Sequence, residues 1–469
     1  MRLRILVGVV ASALVLAFDP GPLALPVRFG VSPSQTAAGA IAGTPPAPPH
    51  PAPSAPPREA LRQVQLAPAP LPAPAPPPPP PPPPPLSGLA KTVDSRIRDP
   101  RMAGTTTSMS LWVDGLGEVA VWQPDLALLP ASNQKIFTAM AVLASIPPTD
   151  VLLTEVRTAG PQDGATLVGD LVLVGGGDPT LTSRGPRSFD TLAAAVRARG
   201  ITTVTGALVG DESRYDSIRG APGWKPEHVP VYIGPLSALV VDRNQHRGDP
   251  PYAANPLPGN LARFRAALVR HGVRVAGASI AGVAPPGSAV LASVASPPVG
   301  RMVRDMMTRS DNLAAELLLK EVGFRRRGVG STAEGIAAAN ELLAQLGVPL
   351  AGRSADGSGL SRGNLRSARE WRLLLQAALT RPWGPSFVES LPLAGRTGTL
   401  ARRLKWGGAA GNVRAKTGWI DEARTLSGYL KTAGGRPAVF SILVNGTTPR
   451  SAVAAAIDDL VAAIAADRS

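Results

Sequence analysis

A run of ten consecutive prolines at residues 76–85 ends a Pro/Ala-rich segment that covers residues 44–86. Proline lacks a backbone N–H and has a fixed φ, so such a segment fits neither a helix interior nor a central strand. We expect an extended polyproline II spacer, which at about 3.1 Å per residue reaches on the order of 130 Å. Folded structure is therefore expected from about residue 87 of the 469-residue chain.

The N-terminal sequence MRLRILVGVVASALVLAF combines two arginines with an apolar run, which is the pattern of an export signal. The apolar run is short for a membrane-spanning helix. No A-x-A cleavage site follows closely, so an uncleaved membrane anchor remains an alternative. We predict that residues 1–43 form an export signal or anchor with a short spacer. The protein is then extracytoplasmic, either secreted or anchored in the membrane by its N-terminus.

The composition excludes several kinds of chemistry. The chain has no cysteine, which removes disulfides, thiol catalysis and cysteine-based zinc sites. Its four histidines, at positions 50, 228, 246 and 271, do not have metal-ligand spacing, so we expect no metal and no cofactor. The net charge is +15, but aromatic residues are scarce and the arginines are spread along the chain. We therefore expect no nucleic-acid partner, and instead an attraction to an anionic envelope polymer or membrane surface.

Strand patterns occur near both ends of the folded part. Residues 108–114 and 118–122 flank a Gly-Leu-Gly turn, and residues 425–431 and 437–445 flank a Thr-Ala-Gly-Gly turn, so each pair predicts a β-hairpin. Strands from both ends are expected to share one antiparallel sheet flanked by helices, an α+β arrangement. Residues 151–290 are rich in Val, Thr, Gly and Pro, which predicts an inserted, mostly-β region. This insertion would split one domain into residues 87–150 and 291–469.

Ser132 and Lys135 stand three residues apart near the start of an apolar segment, in a chain with only seven lysines. Residues at i and i+3 lie on one face of a helix, so the hydroxyl and the amine are expected within reach of each other. If burial favours the neutral amine, Lys135 can act as a base toward the hydroxyl. The alternative is that Ser132 caps the helix and Lys135 is solvated.

Two further motifs follow, Ser-Asp-Asn at residues 310–312 and Lys-Thr-Gly at residues 416–418. Taken alone, the first is typical of a helix cap and the second of a strand with a glycine bulge. In this order after S-x-x-K, the motifs are typical of class A β-lactamases and penicillin-binding proteins. The chemistry requires a neutral Lys135, whose pKa must fall from ~10.4 to about 7 for half of it to be neutral at pH 7. Burial and a second cation, Lys416, both favour that direction.

Four more segments extend the pattern: GGGDPTL at 175–181, DGSGLSR at 356–362, AGRTGTL at 394–400 and GNVRAKTG at 411–418. With these, the chain resembles the class C low-molecular-mass penicillin-binding proteins, the D-alanyl-D-alanine carboxypeptidase/endopeptidase family, from about residue 88 to 465. The resemblance implies a penicillin-binding, serine β-lactamase-like domain split by an insertion. It also implies a serine acyl-enzyme mechanism on peptidoglycan stem peptides, with β-lactam antibiotics as covalent inhibitors.

Residue chemistry and the resemblance together suggest roles for five catalytic residues. Ser132 attacks a carbonyl and Lys135 accepts its proton. Ser310 can relay a proton to the leaving amine, and Asn312 can hold a substrate amide. Lys416 supplies the nearby positive charge and, with its neighbour in the motif, can bind a carboxylate.

Three residues at the third motif are expected to bind substrate: Thr417, Gly418 and Trp419. Gly418 lets a substrate backbone approach the strand edge. Trp419 departs from the family, which usually has Thr or Ser there, so a hydroxyl that helps to bind the terminal carboxylate is missing. This departure favours either endopeptidase cleavage of cross-links or a bulkier acyl-donor pocket. The similar Arg-Thr-Gly at 396–398 is interpreted as a structural turn, because a polar segment and not a strand follows it.

Two other functions remain open from the sequence. A serine β-lactamase would use the same motifs with fast deacylation, although no glutamate-containing deacylation motif is evident. A catalytically weak cell-wall-binding protein would use the Pro-rich spacer as its main functional feature, and Trp419 is the residue that favours this alternative.

Overall fold

The computed structural model describes residues 88–245, 254–446 and 450–468. The predicted export signal or anchor and the Pro/Ala-rich spacer lie outside these residues. In the part of the chain that is described, no helix has both the length and the apolar character needed to cross a membrane.

The strands in the described ranges are short in the middle of the chain and longer near its ends. In chain order they are β1 (Thr106–Val113), β2 (Gly117–Trp122), β3 (Leu153–Thr158), β4 (Gln162–Asp163), β5 (Thr166–Leu167), β6 (Leu171–Val174), β7 (Thr203–Val204), β8 (Leu208–Asp211), β9 (Arg274–Val275), β10 (Ser279–Ala281), β11 (Ala289–Ala295), β12 (Arg414–Ile420), β13 (Ala423–Lys431) and β14 (Pro437–Asn445).

Most helices of the described ranges come after β3 in the chain. In chain order they are α1 (Gly88–Ile97), α2 (Gln134–Ser145), α3 (Phe189–Ala198), α4 (His228–Val231), α5 (Leu257–Arg270), α6 (Val299–Arg309), α7 (Asn312–Arg327), α8 (Thr332–Ala344), α9 (Ala368–Ala378), α10 (Gly384–Ser390) and α11 (Arg450–Ala465).

The main sheet joins both ends of the folded part, as the sequence predicted. Its order is β12-β13-β14-β1-β2, and all neighbouring strands are antiparallel. Both predicted hairpins are confirmed, since β1 pairs with β2 and β13 pairs with β14. The central contact is between β14 and β1, which are more than 300 residues apart in the chain.

Helices cover both faces of this sheet because its strands alternate apolar residues between two cores. On β14, Val439 and Leu443 pack into a core with α2 and α6 to α9, whereas Phe440 and Ile442 pack into a second core with α1 and α11. Helix α2 is buried on every side from Gln134 to Leu143, so it lies inside the first core and not on the surface. The predicted α+β fold with an antiparallel sheet flanked by helices is confirmed.

The inserted region has its own sheets. One has the order β10-β8-β6-β3-β11 and mixes parallel with antiparallel pairs, and a smaller one has the order β4-β5-β7-β9. The last strand of the larger sheet, β11, pairs with β3 along Ala289 to Ala295. The domain boundaries given above stay a prediction.

The two longer helices of the inserted region, α3 and α5, were not anticipated by the expectation of a mostly-β segment. Helix α3 buries Phe189, Leu192 and Val196, and α5 buries Phe264, and the two phenylalanine rings meet edge to face at 5.2 Å. Both helices pack in one core with β3, β6 and β8. The region is therefore a mixed α/β layer, because its short parallel strand pairs need helical connections.

Candidate active site

The predicted nucleophile lies in a tight turn before α2. Ser132 belongs to the 3-10 turn Ala131–Asn133, and the helix proper begins at Gln134. Ser132 is therefore not the N-cap of α2, which removes the simple capping alternative. Gly359 packs directly on this turn with a φ of +90°, and a Cβ there would lie 1.8 Å from the Ala131 carbonyl oxygen. Only glycine allows the two backbones to approach this closely.

Lys135 projects from the first turn of α2 toward the same point. Its Nζ donates to Ser132 Oγ at 3.1 Å, to Asn312 Oδ1 at 2.7 Å and to the Ser358 carbonyl at 2.6 Å. The side chain is fully buried. Burial lowers the pKa of Lys135 to about 8, against the opposing effect of Asp356, Glu316 and Asp311. The site thus contains a lysine that is partly neutral near pH 7.

The second motif forms the junction between α6 and α7. Ser310 adopts a left-handed conformation with a φ of +59° after α6 ends. Asp311 caps α7 by accepting from the Ala314 N–H at 3.1 Å, as the capping interpretation expected. Asn312 Oδ1 faces Lys135, and its Nδ2 donates to the Tyr232 carbonyl at 3.2 Å. The junction therefore aims both predicted side chains toward Ser132.

The third motif lies on the edge strand β12. Lys416 is fully buried and its Nζ donates to Ser310 Oγ at 2.9 Å and to the Thr417 carbonyl at 2.7 Å. Burial, with a further contribution from the charge of Lys135, holds the pKa of Lys416 well below its ordinary value. Thr417 Oγ1 donates to Thr399 Oγ1 at 2.8 Å. Two buried amines, each bonded to one serine hydroxyl, thus lie in one site.

Gly418 and Trp419 differ sharply in exposure. A Cβ on Gly418 would lie 2.0 Å from Thr425 Oγ1 and 2.8 Å from the Pro130 carbonyl, so glycine is needed for β12 to pack against the Ser132 turn. Trp419 is 56% exposed, and the Arg424 guanidinium stacks on its ring at 3.5 Å. This cation–π contact holds a large aromatic surface at the mouth of the site.

These elements enclose a cleft of about 370 Å³. Ser132, Ser310, Asn312 and Trp419 line it, whereas the two lysines lie buried behind the serines. The structure therefore brings all three motifs together at one cleft. The remaining lining residues come mainly from the inserted region and from the DGSGLSR segment; they are Lys225, Glu227, His228, Tyr232, Leu360, Arg362, Ile420 and Asp421.

The DGSGLSR segment was noticed in the sequence, but the structure reveals its role. Buried Asp356 accepts from the Gly359 N–H at 2.8 Å, the Ser361 N–H at 2.6 Å and Trp224 Nε1 at 2.9 Å. Buried Glu316 accepts from the Ser358 N–H at 2.8 Å. The two carboxylates hold the loop that presents its carbonyl to Lys135.

The Arg-Thr-Gly segment forms a turn, as interpreted from the sequence, and also reaches the site. Gly398 has a φ of +54°, and a Cβ there would lie 2.2 Å from the Thr308 carbonyl. The turn delivers Thr399 to Thr417. The contribution of Thr399 was missed because nothing in the local sequence marks a contact with a strand 18 residues away.

The rim of the cleft carries charged residues to which the sequence assigned no role. Arg362 Nη2 contacts Glu422 Oε2 at 2.6 Å, and Lys225 Nζ lies 3.5 Å from Glu422 Oε1. His228 accepts from the Lys225 N–H at 3.3 Å, and burial together with the charge of Arg362 lowers its pKa. A histidine in this state is neutral at pH 7.

The antiparallel sheet between helices and the site built from Ser132, Lys135 and Lys416 define the class of serine enzymes with a penicillin-binding fold. A family model described as the D-Ala-D-Ala carboxypeptidase 3 (S13) family matches residues 89–249 and 254–467. The chain therefore belongs to this family. The predicted resemblance and the serine-type carboxypeptidase class are confirmed.

Individual proteins agree with this assignment. A D-alanyl-D-alanine carboxypeptidase of Actinomadura sp. (strain R39) is 32% identical in an alignment 443 residues long. The alignment covers 77% of this chain and 81% of that relative. A carboxypeptidase of Mycobacterium tuberculosis is 32% identical over 358 residues, which span 72% of this chain and 76% of that relative. The crystal structure of penicillin binding protein 4 from Haemophilus influenzae matches with a TM-score of 0.72 at 22% identity, covering 80% of this chain and 99% of that one.

Proposed function

We propose that the protein hydrolyses D-Ala-D-Ala-type peptide bonds in peptidoglycan stem peptides through an acyl-enzyme on Ser132. The observation that carries the proposal is the buried Lys135 amine, 3.1 Å from Ser132 Oγ, with a pKa lowered to about 8. A serine hydroxyl is a weak nucleophile unless a base accepts its proton. A partly neutral lysine at hydrogen-bond distance is such a base.

In the acylation step, Ser132 Oγ bonds to the substrate carbonyl carbon while its proton passes to Lys135 Nζ. The carbonyl electron pair moves onto oxygen, and we assign the backbone N–H groups of Ser132 and Trp419 as its donors. Asn312, fixed between Lys135 and the Tyr232 carbonyl, orients the base and the substrate amide.

Collapse of this intermediate breaks the C–N bond, and the leaving nitrogen needs a proton. Ser310 Oγ can donate one while it accepts another from Lys416 Nζ at 2.9 Å. Lys416 is buried and its pKa lies well below the ordinary value, so it gives up a proton more readily than a solvated lysine. Lys135 then passes the proton that it took from Ser132 to solvent, and Lys416 regains a proton from solvent. Water attacks the acyl carbon and gives a proton to Lys135, which returns it to Ser132 Oγ as the acyl C–O bond breaks.

Trp419 favours cleavage of cross-linked peptides over release of a free terminal D-Ala. The indole supplies no hydroxyl for a terminal carboxylate, and its stack on Arg424 fixes a broad apolar wall beside the strand edge. We propose that the leaving side accepts a bulky amine. In a Trp419→Thr variant, the rate of D-Ala release from a pentapeptide should rise at least ~3-fold relative to cleavage of a cross-linked dimer. An unchanged ratio would show that Trp419 does not select the leaving group.

We further propose that the enzyme acts outside the cytoplasmic membrane, with the N-terminal segment as an export signal or anchor and the Pro-rich segment as a spacer. The proposal is supported by the sequence pattern of residues 1–86 and by the location of the polymer that it would cleave. Carbonate extraction of membranes tests the anchor. A protein that stays in the pellet is anchored, and one that is released is not.

Intact-protein mass after incubation with benzylpenicillin tests the central assignment. The full-length protein should gain one penicillin, and the Ser132→Ala variant should gain none. Ser361→Ala is a matched control, since Ser361 stands between the cleft-lining Leu360 and Arg362, and its hydroxyl donates to the Pro222 carbonyl and accepts from the Gly363 N–H. Labelling of Ser132→Ala would refute the assignment. Rapid loss of the adduct with release of hydrolysed penicillin would favour the β-lactamase alternative.

A further inference from the structure

Three consecutive residues of the inserted region adopt left-handed backbone conformations. Asp242, Arg243 and Asn244 have φ values of 47°, 60° and 56°. Aspartate and asparagine tolerate this region, but arginine does so rarely. Such strain persists only where surrounding contacts enforce it.

Hydrogen bonds on both sides enforce the turn. Asp242 Oδ1 accepts from the Ser183 N–H at 3.0 Å. Asn244 is buried, donates to the Pro235 carbonyl at 2.8 Å and accepts from Asn260 Nδ2 at 2.9 Å. The turn therefore presents the side chain between them, Arg243, in one fixed direction.

That direction is toward the second catalytic motif. Arg243 Nη1 and Nη2 bind the two carboxylate oxygens of Asp311 at 2.6 and 2.8 Å, a bidentate pair. Asp311 caps α7 and stands between Ser310 and Asn312 in the chain. A contact from the inserted region thus holds Asp311, the residue of this motif that does not line the cleft.

We infer that Arg243 is a positioning residue of the reaction: it fixes the 310–312 turn through Asp311 and shields Lys135 from the charge of that carboxylate. The inference rests on the proposed function. It makes the inserted region part of the catalytic apparatus.

The charged groups around Lys135 explain why the Arg243–Asp311 pair affects the protonation of this lysine. The groups that face its ammonium are Asp356, Glu316, Asp311 and the second lysine, Lys416. Burial and the charge of Asp356 raise the pKa of Glu316, and its carboxyl oxygens accept from the Gly357 and Ser358 N–H groups. Asp356 is held by Trp224 and two backbone N–H groups.

Asp311 differs because its counter-charge comes from the bidentate pair with Arg243, whereas the Ala314 N–H, which also binds this carboxylate, carries no charge. Burial raises the pKa of Asp311, but the hydrogen bonds and charge of Arg243, with smaller contributions from the Ala314 N–H and the charge of Lys135, bring it below its ordinary value. If the guanidinium is removed, the carboxylate loses its counter-charge and interacts more strongly with Lys135. The protonated form of Lys135 is then favoured, and less of the base is available.

The test is the pH dependence of acylation by benzylpenicillin for four full-length proteins. They are the parent, Arg243→Gln, Asp311→Asn and the double variant. Arg243→Gln should acylate roughly tenfold more slowly at pH 7, with the acidic limb of the profile displaced upward by about one pH unit. Asn also caps helices, so Asp311→Asn keeps the cap and should displace the limb downward. The double variant should not show the upward displacement of Arg243→Gln.

The Arg243→Lys variant separates the effect of charge from that of structure. Because it keeps the positive charge, its acidic limb should lie at the same pH as that of the parent protein. Arg270→Gln is the matched control: it removes an insert ion pair, with Asp190, that does not contact α7, and should leave the limb in place. If Arg243→Gln lowers only the plateau rate, or if the double variant keeps the upward displacement, the inference is overturned.

If Arg243→Gln fails to fold, the inference can still be tested. Asp311→Asn removes the charge of Asp311 and keeps the N-cap of α7. If the acidic limb of the pH profile of Asp311→Asn is not displaced to lower pH, the inference is also overturned. The proposed function fails separately, since a folded parent protein that is never acylated contradicts the peptidase and not the role of Arg243.

Discussion

The rate of acylation should follow the neutral fraction of Lys135. Its pKa is lowered from the ordinary 10.5 to about 8. At pH 7 a lysine with a pKa near 8 is neutral in about a tenth of molecules, compared with about 0.03% for a solvated lysine, a gain of roughly 300-fold. Because the neutral amine is the base, lowering the pH from 7 to 6 should reduce the second-order acylation rate constant about tenfold.

A fluorescent penicillin supplies the assay. Acylation of the full-length protein is followed between pH 5.5 and 9.5 at constant ionic strength, and the rate constant is plotted against pH. The expected profile rises with a slope near one below pH 8 and levels off above about pH 9. Lys135→Met should show no measurable acylation at any pH, while circular dichroism confirms that it is folded.

The midpoint belongs to the coupled pair of buried lysines, because Lys135 and Lys416 interact through their charges. A Lys416→Met variant should therefore retain an acidic limb, with its midpoint displaced to higher pH, since a neighbouring cation has been removed. A parent profile that is flat from pH 6 to 9, or one that still rises at pH 10, would refute the role of Lys135 as a buried neutral base.

Two further predictions concern stability. Gly359→Ala should lower the free energy of unfolding by at least ~2 kcal/mol and slow acylation, because its Cβ would meet the Ala131 carbonyl at 1.8 Å; Gly104→Ala, also at positive φ but with open space around it, should cost clearly less in the same urea titrations. Between about pH 8 and 9.5 the unfolded chain binds more protons at Lys135 than the folded one, so the parent should gain up to about 1.4 kcal/mol per pH unit relative to Lys135→Met. Parallel stability curves for these two proteins would contradict the depressed pKa.

Local patterns predicted the elements that depend on neighbouring residues. The two hairpins follow from alternating strands around glycine turns, and the Ser132–Lys135 spacing alone placed an amine beside a hydroxyl. Ser331 and Ser367 cap α8 and α9 by accepting from the Glu334 and Glu370 N–H groups, contacts that join residues only three apart in the chain.

Helix α3 was missed although its signal is present. Ser188 caps it by accepting from the Thr191 N–H, and its buried apolar residues recur at a helical period. The surrounding Val-, Thr- and Gly-rich composition favoured strands. Helix α3 is only ten residues long, so the composition of the region outweighed the helical spacing of its apolar residues. Short helices in such segments are stabilised mainly by tertiary packing, which composition does not reveal.

The site contacts that the sequence could not supply join distant parts of the chain. Gly359 meets the Ser132 turn, and Tyr232 and Arg243 meet the 310–312 turn from the inserted region. Each depends on a backbone conformation or a loop path fixed by the complete fold. No spacing rule connects such residues, so they become visible only in three dimensions.

The order of the main sheet has a consequence for biosynthesis. The turn that carries Ser132 becomes part of a site only when β12, β13 and β14 have been made and β14 has paired with β1. Closing a loop of this length is slow compared with the local folding of single hairpins. A nascent chain should thus remain unreactive toward penicillin until nearly all of it has been synthesised. Time-resolved labelling would therefore report the last stage of maturation, and premature acylation of a half-made enzyme is avoided by topology alone.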